Sequence, residues 1–381
     1  MQQHFSNSIN FIQELYPNKS FIPLHEPTFA GNEKAYVLDT IDSTFVSSVG
    51  AYVDKFEAMM RDYTGAKYAI AVVNGTAALH IALKLAGVKE GDLVLTQALS
   101  FVATCNAISY LNAEPCFVDI STETLGMCPQ ALKRFLNNVE VVNNTPIHKP
   151  TGKRIGACVP MHTFGFPAEI DTLVDLCNEY QIPLIEDAAE SIGSTYKTKQ
   201  TGTFGLLGTF SFNGNKTITC GGGGIIVTND DELGPLAKHL TTQAKVPHKW
   251  EFVHDHIGYN YRCPNLNAAL ACAQLEQLDN FIENKRQTAK LYERFFTNTP
   301  ITFIVEPANT KSNYWLNAVL LKNKDERDEF LTITNAKGVM TRPAWTLMNK
   351  LAMFARCMHD GLPNSLDIEA RLVNIPSSVR G

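Results

Sequence analysis

No run of basic residues stands out in this 381-residue chain, and the formal net charge is −5. A nucleic-acid partner calls for a basic face that displaces the counterions of the phosphates, so that class of function is excluded. No Cys-x-x-Cys pair occurs either: the nine cysteines, at 105, 116, 128, 158, 177, 220, 263, 272 and 357, are scattered through apolar stretches. They read as reduced thiols of a cytoplasmic protein. A membrane-spanning run is missing as well. Leu93 to Ala113 is uncharged over a sufficient length, but Thr96, Gln97, Ser100, Thr104, Asn106, Ser109 and Asn112 make it too polar, and it reads as a buried strand, loop and helix. The first residues, MQQHFSNSINFIQELYPNKS, lack the basic start and continuous apolar core of an export signal. Internal repeats and low-complexity tracts are absent too.

A hydrophobic content of 45% allows a large core. Tyr36, Leu38 and Ile41, then Val53, Phe56, Met59 and Met60, recur at helical spacing and predict two amphipathic helices, separated by a Phe45–Gly50 loop of small residues. From Lys67 onward short apolar runs alternate with helical patterns. The runs are 68–73, 93–96, 115–119, 155–160, 183–185, 208–212 and 224–227; the helices fall at 77–86, 101–111, 129–137 and 168–180. Continuous rather than alternating apolar strands joined through helices predict an α/β domain whose mostly parallel sheet is covered on both faces. Asn138 to Arg154 is polar with two prolines and reads as an exposed loop. Residues 241–265 form a long irregular segment dense in aromatics and histidines, 266–286 a single long helix, and the alternation beyond Pro300 a smaller α+β domain. The predicted division is 1–240 for the N-terminal helices and large domain, and 241–381 for the irregular segment, long helix and small domain.

Chemistry concentrates around Phe204 to Gly224, where Lys216 stands between an apolar strand carrying Ser211 and four consecutive glycines. A lysine partly shielded from water can present an unprotonated amine to a carbonyl carbon, while glycines allow close approach of backbone to a bound group. A solvated lysine in a glycine-rich hairpin explains the same stretch when it is taken alone. Asn74-Gly75-Thr76, between a strand and a helix, is suited to an anion, because free N–H groups converge there. Ile185-Glu186-Asp187 ends a buried strand in carboxylates, which can keep a pyridinium protonated or, equally, serve a magnesium site or glycoside hydrolysis. Parallel strands present ligands at their carboxyl ends, which puts Gly75, Asp187 and Lys216 at one rim. His254-Asp255-His256 offers two histidines but no evident third ligand, so no metal is predicted.

Gly-Thr-Ala-Ala-Leu at 75–79, Glu-Asp-Ala-Ala-Glu-Ser-Ile-Gly at 186–193, Phe-Ser-Phe-Asn-Gly-Asn-Lys at 210–216 and Gly-Tyr-Asn-Tyr-Arg at 258–262 occur in order. Together they resemble the DegT/StrS nucleotide-sugar aminotransferases, enzymes of fold type I that use pyridoxal 5'-phosphate. The resemblance implies that Lys216 attaches the cofactor and that Asp187 pairs with its ring nitrogen. It places Phe101 against the ring, Gly75, Thr76 and Ser211 on the phosphate, and Glu190 beside the ring hydroxyl. Asn260 resembles a residue that reaches a phosphate in the neighbouring subunit, which implies a homodimer with shared sites. With Glu190, His-Glu-Pro at 25–27 and Phe-Val-Ser-Ser-Val-Gly at 45–50, the chain resembles the enzymes that aminate UDP-linked 4-keto-6-deoxy N-acetylhexosamines, with L-glutamate as the usual donor. On the same grounds His25, Glu26, His248 and Trp250 are candidates for the sugar or base pocket. Arg262 and Arg342 are available cations for the donor or diphosphate, or structural ion-pair partners. A sensor or regulator of the same fold is the competing reading.

Overall fold

The computed structural model describes residues 2–381. Strand β1 (Tyr68–Val72) leads into helix α4 (Gly75–Leu85), β2 (Leu93–Gln97) into α5 (Val102–Ser109), and β3 (Glu114–Val118) into α6 (Pro129–Leu136); helices α1 (Gln2–Leu15), α2 (Glu33–Asp42) and α3 (Ala51–Thr64) come before them. The predicted Asn138–Arg154 loop is instead a hairpin of β4 (Val139–Val142) and β5 (Thr145–His148), which pairs onto β6 (Lys153–Val159). Two asparagines with positive φ, Asn143 and Asn144, make the tight turn that the polar composition disguised.

Helix α7 (Ile170–Glu179) connects β6 to β7 (Ile185–Asp187), and the short strands β8 (Thr195–Tyr196) and β9 (Lys199–Gln200) precede β10 (Leu207–Ser211) and β11 (Gly224–Thr228). One set of strands runs β1-β11-β10-β7 and another β3-β2-β6-β5-β4. Parallel bridges Cys158–Leu184 and Met161–Asp187 join the two sets between β6 and β7. β2, β3 and β6 are parallel, as are β7 and β10, while β11 runs antiparallel to both β1 and β10. The sheet is thus the mostly parallel one expected, and its strands apart from the β4–β5 hairpin are buried almost throughout, which is why they read as continuous apolar runs.

After α8 (Leu233–Thr241), the expected single helix 266–286 is two, α9 (Asn265–Leu275) and α10 (Leu278–Phe296), which meet at Glu276-Gln277. No proline or glycine marks that junction, so the periodicity alone ran straight through it. Asn265 explains the start of α9 and the shape of the Phe45–Gly50 loop together. Its Oδ1 accepts the Tyr52 N–H at 3.1 Å at the start of α3, and its Nδ2 donates to the Phe45 carbonyl at 2.6 Å.

The C-terminal sheet contains β12 (Thr302–Phe303), β14 (Asn317–Leu320), β15 (Arg342–Pro343) and β16 (Leu372–Ile375) in the order β12-β14-β16-β15, all antiparallel. β13 (Thr310–Lys311) leaves this sheet and pairs with β8. α11 (Lys324–Ala336) and α12 (Pro363–Arg371) cover the C-terminal sheet, and α1 joins them. Phe5, Ile9 and Ile12 of α1, with Tyr16 just beyond its end, are spaced by four, three and four and sink into the same cluster as Tyr292, Phe330 and Val373. Each such side chain contributes about 1.5–3 kcal/mol of apolar burial. The first helix of the chain therefore packs on the last third of it.

Candidate active site

The carboxyl ends of the central strands open into a cavity of about 380 Å³. Gly75, Thr76, Phe101, Asp187, Glu190, Ser211 and Lys216 all line it, so residues from four separate stretches of sequence converge at this rim. Asn74 caps α4 by accepting the Ala77 N–H at 2.8 Å, and the first intrahelical bond is made by Ala78. The N–H groups of Gly75 and Thr76 therefore stand ahead of the helical ladder, at its positive end. Ser211 sits directly beside them: a β-carbon on Gly75 would come within 2.8 Å of the Ser211 Cβ.

Two of the four glycines have clear steric reasons. Gly221 has φ of +79°, and a β-carbon on Gly224 would lie 2.5 Å from the Asn74 carbonyl oxygen. β11 thus approaches the turn before α4 closely, and the glycine run positions the anion-binding turn from behind.

Asp187 is buried at the end of β7. Thr104 Oγ1 donates to its Oδ2 at 2.7 Å and the Ala189 N–H to its Oδ1 at 3.1 Å. The neighbouring Glu186 points to the opposite side. It accepts N–H groups from Gly202, Phe204 and Gly205 and the imidazole of His162, organising a loop rather than facing the cavity. Lys216 extends over the ring of Trp315, 4.1 Å from its centroid, with its Nζ 3.2 Å from Glu190 Oε1. Trp315 is itself fixed by its Nε1–H on the Asn215 carbonyl at 2.7 Å. Phe101, 48% exposed, offers an aromatic face to the cavity together with Trp345.

Burial pushes the Glu190 carboxyl up to about 7, against the lowering influence of Lys216 and of the Phe164 N–H. The folded chain therefore holds a proton between about pH 4.5 and pH 7 that the unfolded chain has released. Its stabilising contribution is complete below the unfolded value and is lost as the pH rises to about 7. Replacing Glu190 by Gln is expected to flatten the pH dependence of unfolding free energy in that window by on the order of 1–3 kcal/mol. Denaturant titrations of the cofactor-free protein across pH 4.5–8 check this.

The other expected site residues lie elsewhere. Asn260 is exposed, bridged to Thr242, and outside the cavity. Both ring nitrogens of His25 are buried without a side-chain partner among the described residues, and burial together with the Lys285 and Lys216 amines pushes its pKa down. Glu26 pairs with Lys19, and His248 with the 73% exposed Trp250 lies on the outer segment. Arg262 lines a second hollow with Ser48, Val49 and Gly50, while Arg342 donates to Asn335 at 3.0 Å on the C-terminal sheet. Trp315, Trp345 and Thr104 were not singled out from sequence. The two tryptophans reach the cavity from the C-terminal third of the chain, a contact that no local pattern encodes.

A family model described as the DegT/DnrJ/EryC1/StrS aminotransferase family matches residues 27–380. The chain belongs to this family. GDP-perosamine synthase of Escherichia coli O157:H7 is 37% identical over 357 residues, 94% of this chain and 93% of that protein. GDP-perosamine synthase of Vibrio cholerae is 36% identical, with coverage of 93% and 94%. Among solved structures, the aminotransferase TlmJ from Streptoalloteichus hindustanus superposes with a TM-score of 0.84 at 25% identity, covering 94% of this chain and 93% of that one. The protein is a sugar aminotransferase of nucleotide-sugar biosynthesis with fold type I architecture, and its cofactor is pyridoxal 5'-phosphate. The regulator reading is thereby set aside.

The residues present in the aminotransferase fit that cofactor. An anion-binding helix start, an exposed aromatic face, a buried carboxylate with a lone pair left for a ring N–H, and a shielded lysine border one cavity. Asp255 and His256 do gain a third neighbour, His239 of α8, whose Nε2 lies 2.6 Å from Asp255 Oδ1, while His254 turns away to the Gln243 carbonyl. The cluster is a hydrogen-bonded clasp between α8 and the outer segment. No helix of the described residues is long and apolar enough to cross a membrane.

Proposed function

We propose that this aminotransferase moves an amino group from L-glutamate to the 4-keto carbon of a nucleotide-linked 4-keto-6-deoxy sugar. The observation that carries the reading is the convergence of Lys216, Asp187, Glu190, Phe101 and the start of α4 on one cavity. In this reading Lys216 attaches the cofactor, Asp187 faces its ring nitrogen and Phe101 its ring. Gly75, Thr76 and Ser211 hold the phosphate, and Glu190 stands beside the ring hydroxyl. When bound, pyridoxal phosphate supplies the electron sink that makes a neighbouring C–H acidic. Nζ of Lys216 then takes the proton from the glutamate α-carbon, and in the second half-reaction delivers one to C4 of the sugar. Trp315 and Glu190 hold the amine over the cavity between these transfers. Glutamate leaves as 2-oxoglutarate and the sugar leaves with the amine, so the two halves balance.

Asn260, exposed on the outer segment, is proposed to reach the phosphate of a second copy in a homodimer with shared sites. His25, with two buried and unpartnered ring nitrogens near Lys216, is the best placed of the candidate sugar contacts. The nine free cysteines support a reducing, cytoplasmic setting.

Two acceptors compete. The motifs at 25–27 and 45–50 favour a UDP-linked N-acetylhexosamine, whereas the names of the 37% and 36% identical relatives carry a GDP-linked sugar. Mixing the glutamate-treated enzyme with UDP-, GDP- and dTDP-linked 4-keto sugars separates them. The UDP reading expects the yellow band to return with the UDP-linked acetamido sugar at a kcat/KM at least about tenfold above the GDP sugar, and the opposite order replaces it.

Gly224→Ala tests the phosphate assignment from behind. Its β-carbon, 2.5 Å from the Asn74 oxygen, is expected to displace the start of α4 and weaken cofactor binding about tenfold, at a stability cost of about 1–3 kcal/mol. Titration of cofactor into the apoprotein, followed by tryptophan fluorescence, checks it.

A further inference from the structure

Asp187 has a second anchor that the reaction as described leaves without a role. Thr104 lies in the first turn of α5, fully buried, and its hydroxyl donates to Asp187 Oδ2 at 2.7 Å. A hydroxyl has one proton to give, and Ser100 Oγ stands 3.1 Å behind Thr104 Oγ1. Ser100 is also fully buried, and its hydroxyl reaches Met161 Sδ at 3.2 Å. Because the carboxylate can only accept, the Thr104 proton goes to Asp187, and toward Ser100 the Thr104 oxygen can only accept. Ala189 supplies the other donor, 3.1 Å from Oδ1. Asp187 is thus held by one hydrogen bond on each oxygen, and neither donor is charged.

The same short helix begins at Phe101, whose ring faces the cavity. One rigid element therefore carries the aromatic face and the group that aims the carboxylate. Hydrogen bonds to the charged form of an acid stabilise that form and make it a weaker base. A weaker base opposite a ring nitrogen leaves the shared proton on the ring, where it makes the ring a better electron sink.

We propose that Thr104 is a positioning residue for the transamination: its hydroxyl orients Asp187 so that the carboxylate faces the cofactor's ring nitrogen and the proton between them stays on the ring. This rests on the reading that Asp187 faces the ring nitrogen.

The test is made on holoenzyme carrying cofactor labelled with ¹⁵N in the ring. Thr104→Val keeps the volume and removes the hydroxyl, Thr104→Ala removes it without β-branching, and Thr104→Ser keeps it. In the Val and Ala variants the ring-nitrogen signal is expected to move toward its unprotonated position. kcat of the glutamate half-reaction should fall about tenfold, with KM changed by less than about twofold. Thr104→Ser should restore both to within about twofold of wild type. An unmoved ring-nitrogen signal in Thr104→Val and Thr104→Ala overturns the proposal, as does a Ser variant as impaired as the Val variant. Asp187→Asn in the same experiment separates the premise. If its ring-nitrogen signal also equals that of wild type, the placement of Asp187 is at fault rather than the role of Thr104.

Discussion

Lys216→Ala is expected to yield a protein that folds, binds pyridoxal phosphate without covalent attachment, and turns over at least about 10³-fold more slowly than wild type. The lysine side chain is 12% exposed and contacts Trp315 and Glu190 rather than the main core, so its loss leaves the scaffold intact. What disappears is the amine over the cavity that, in the proposed reaction, accepts and returns the proton at the reacting carbon. Glu190 is the nearest substitute, with its carboxyl 3.2 Å from the missing amine. It is fixed by the Phe164 N–H at 2.8 Å, and without Lys216 it loses the charge that favours its ionised form. Single-turnover kinetics with glutamate, together with mass spectrometry after borohydride reduction, give rate and attachment in one preparation. Turnover within tenfold of wild type contradicts the assignment.

Asp187→Asn is expected to lower kcat by on the order of 10²–10³ while the enzyme still binds its cofactor. Both carboxylate oxygens accept: Oδ2 from Thr104 and Oδ1 from the Ala189 N–H. An amide has only one acceptor atom, and the backbone N–H of Ala189 cannot rotate away. The amide oxygen therefore turns to Ala189 and its NH₂ occupies the Oδ2 position, where Thr104 must reverse its hydroxyl. The remaining N–H then faces the ring nitrogen as a donor, and the ring loses its proton. Stopped-flow kinetics of the glutamate half-reaction measures the effect, with Asp187→Glu as a control that keeps the charge but lengthens the reach.

The strands and helices that build the cavity were legible because each is a continuous apolar run ended by a chemically marked turn. Asn74-Gly75-Thr76, Asp187 and Lys216 could be placed at one rim from strand direction alone. What stayed illegible was non-local or disguised. Helix α1 carries Phe5, Ile9 and Ile12 on one face, but nothing local says that this face packs on the C-terminal sheet. The hairpin 139–148 hid behind polar residues and prolines, and the α9–α10 junction lacks any breaker. Thr104 is the clearest case. In the sequence it counts only as one polar interruption of an uncharged stretch, and its meaning appears once α5 is laid against the end of β7. Trp315 stands just before β14, and nothing local marks it as the floor beneath Lys216.

The central claim is that this cavity shuttles an amino group, and the most direct measurement is the absorbance of purified wild-type enzyme through one full cycle. The account predicts a yellow protein whose band disappears when L-glutamate is added, with one equivalent of 2-oxoglutarate per site, and returns when a nucleotide-linked 4-keto sugar follows. A protein that stays colourless with added pyridoxal phosphate, or a band that glutamate leaves unchanged, would contradict it.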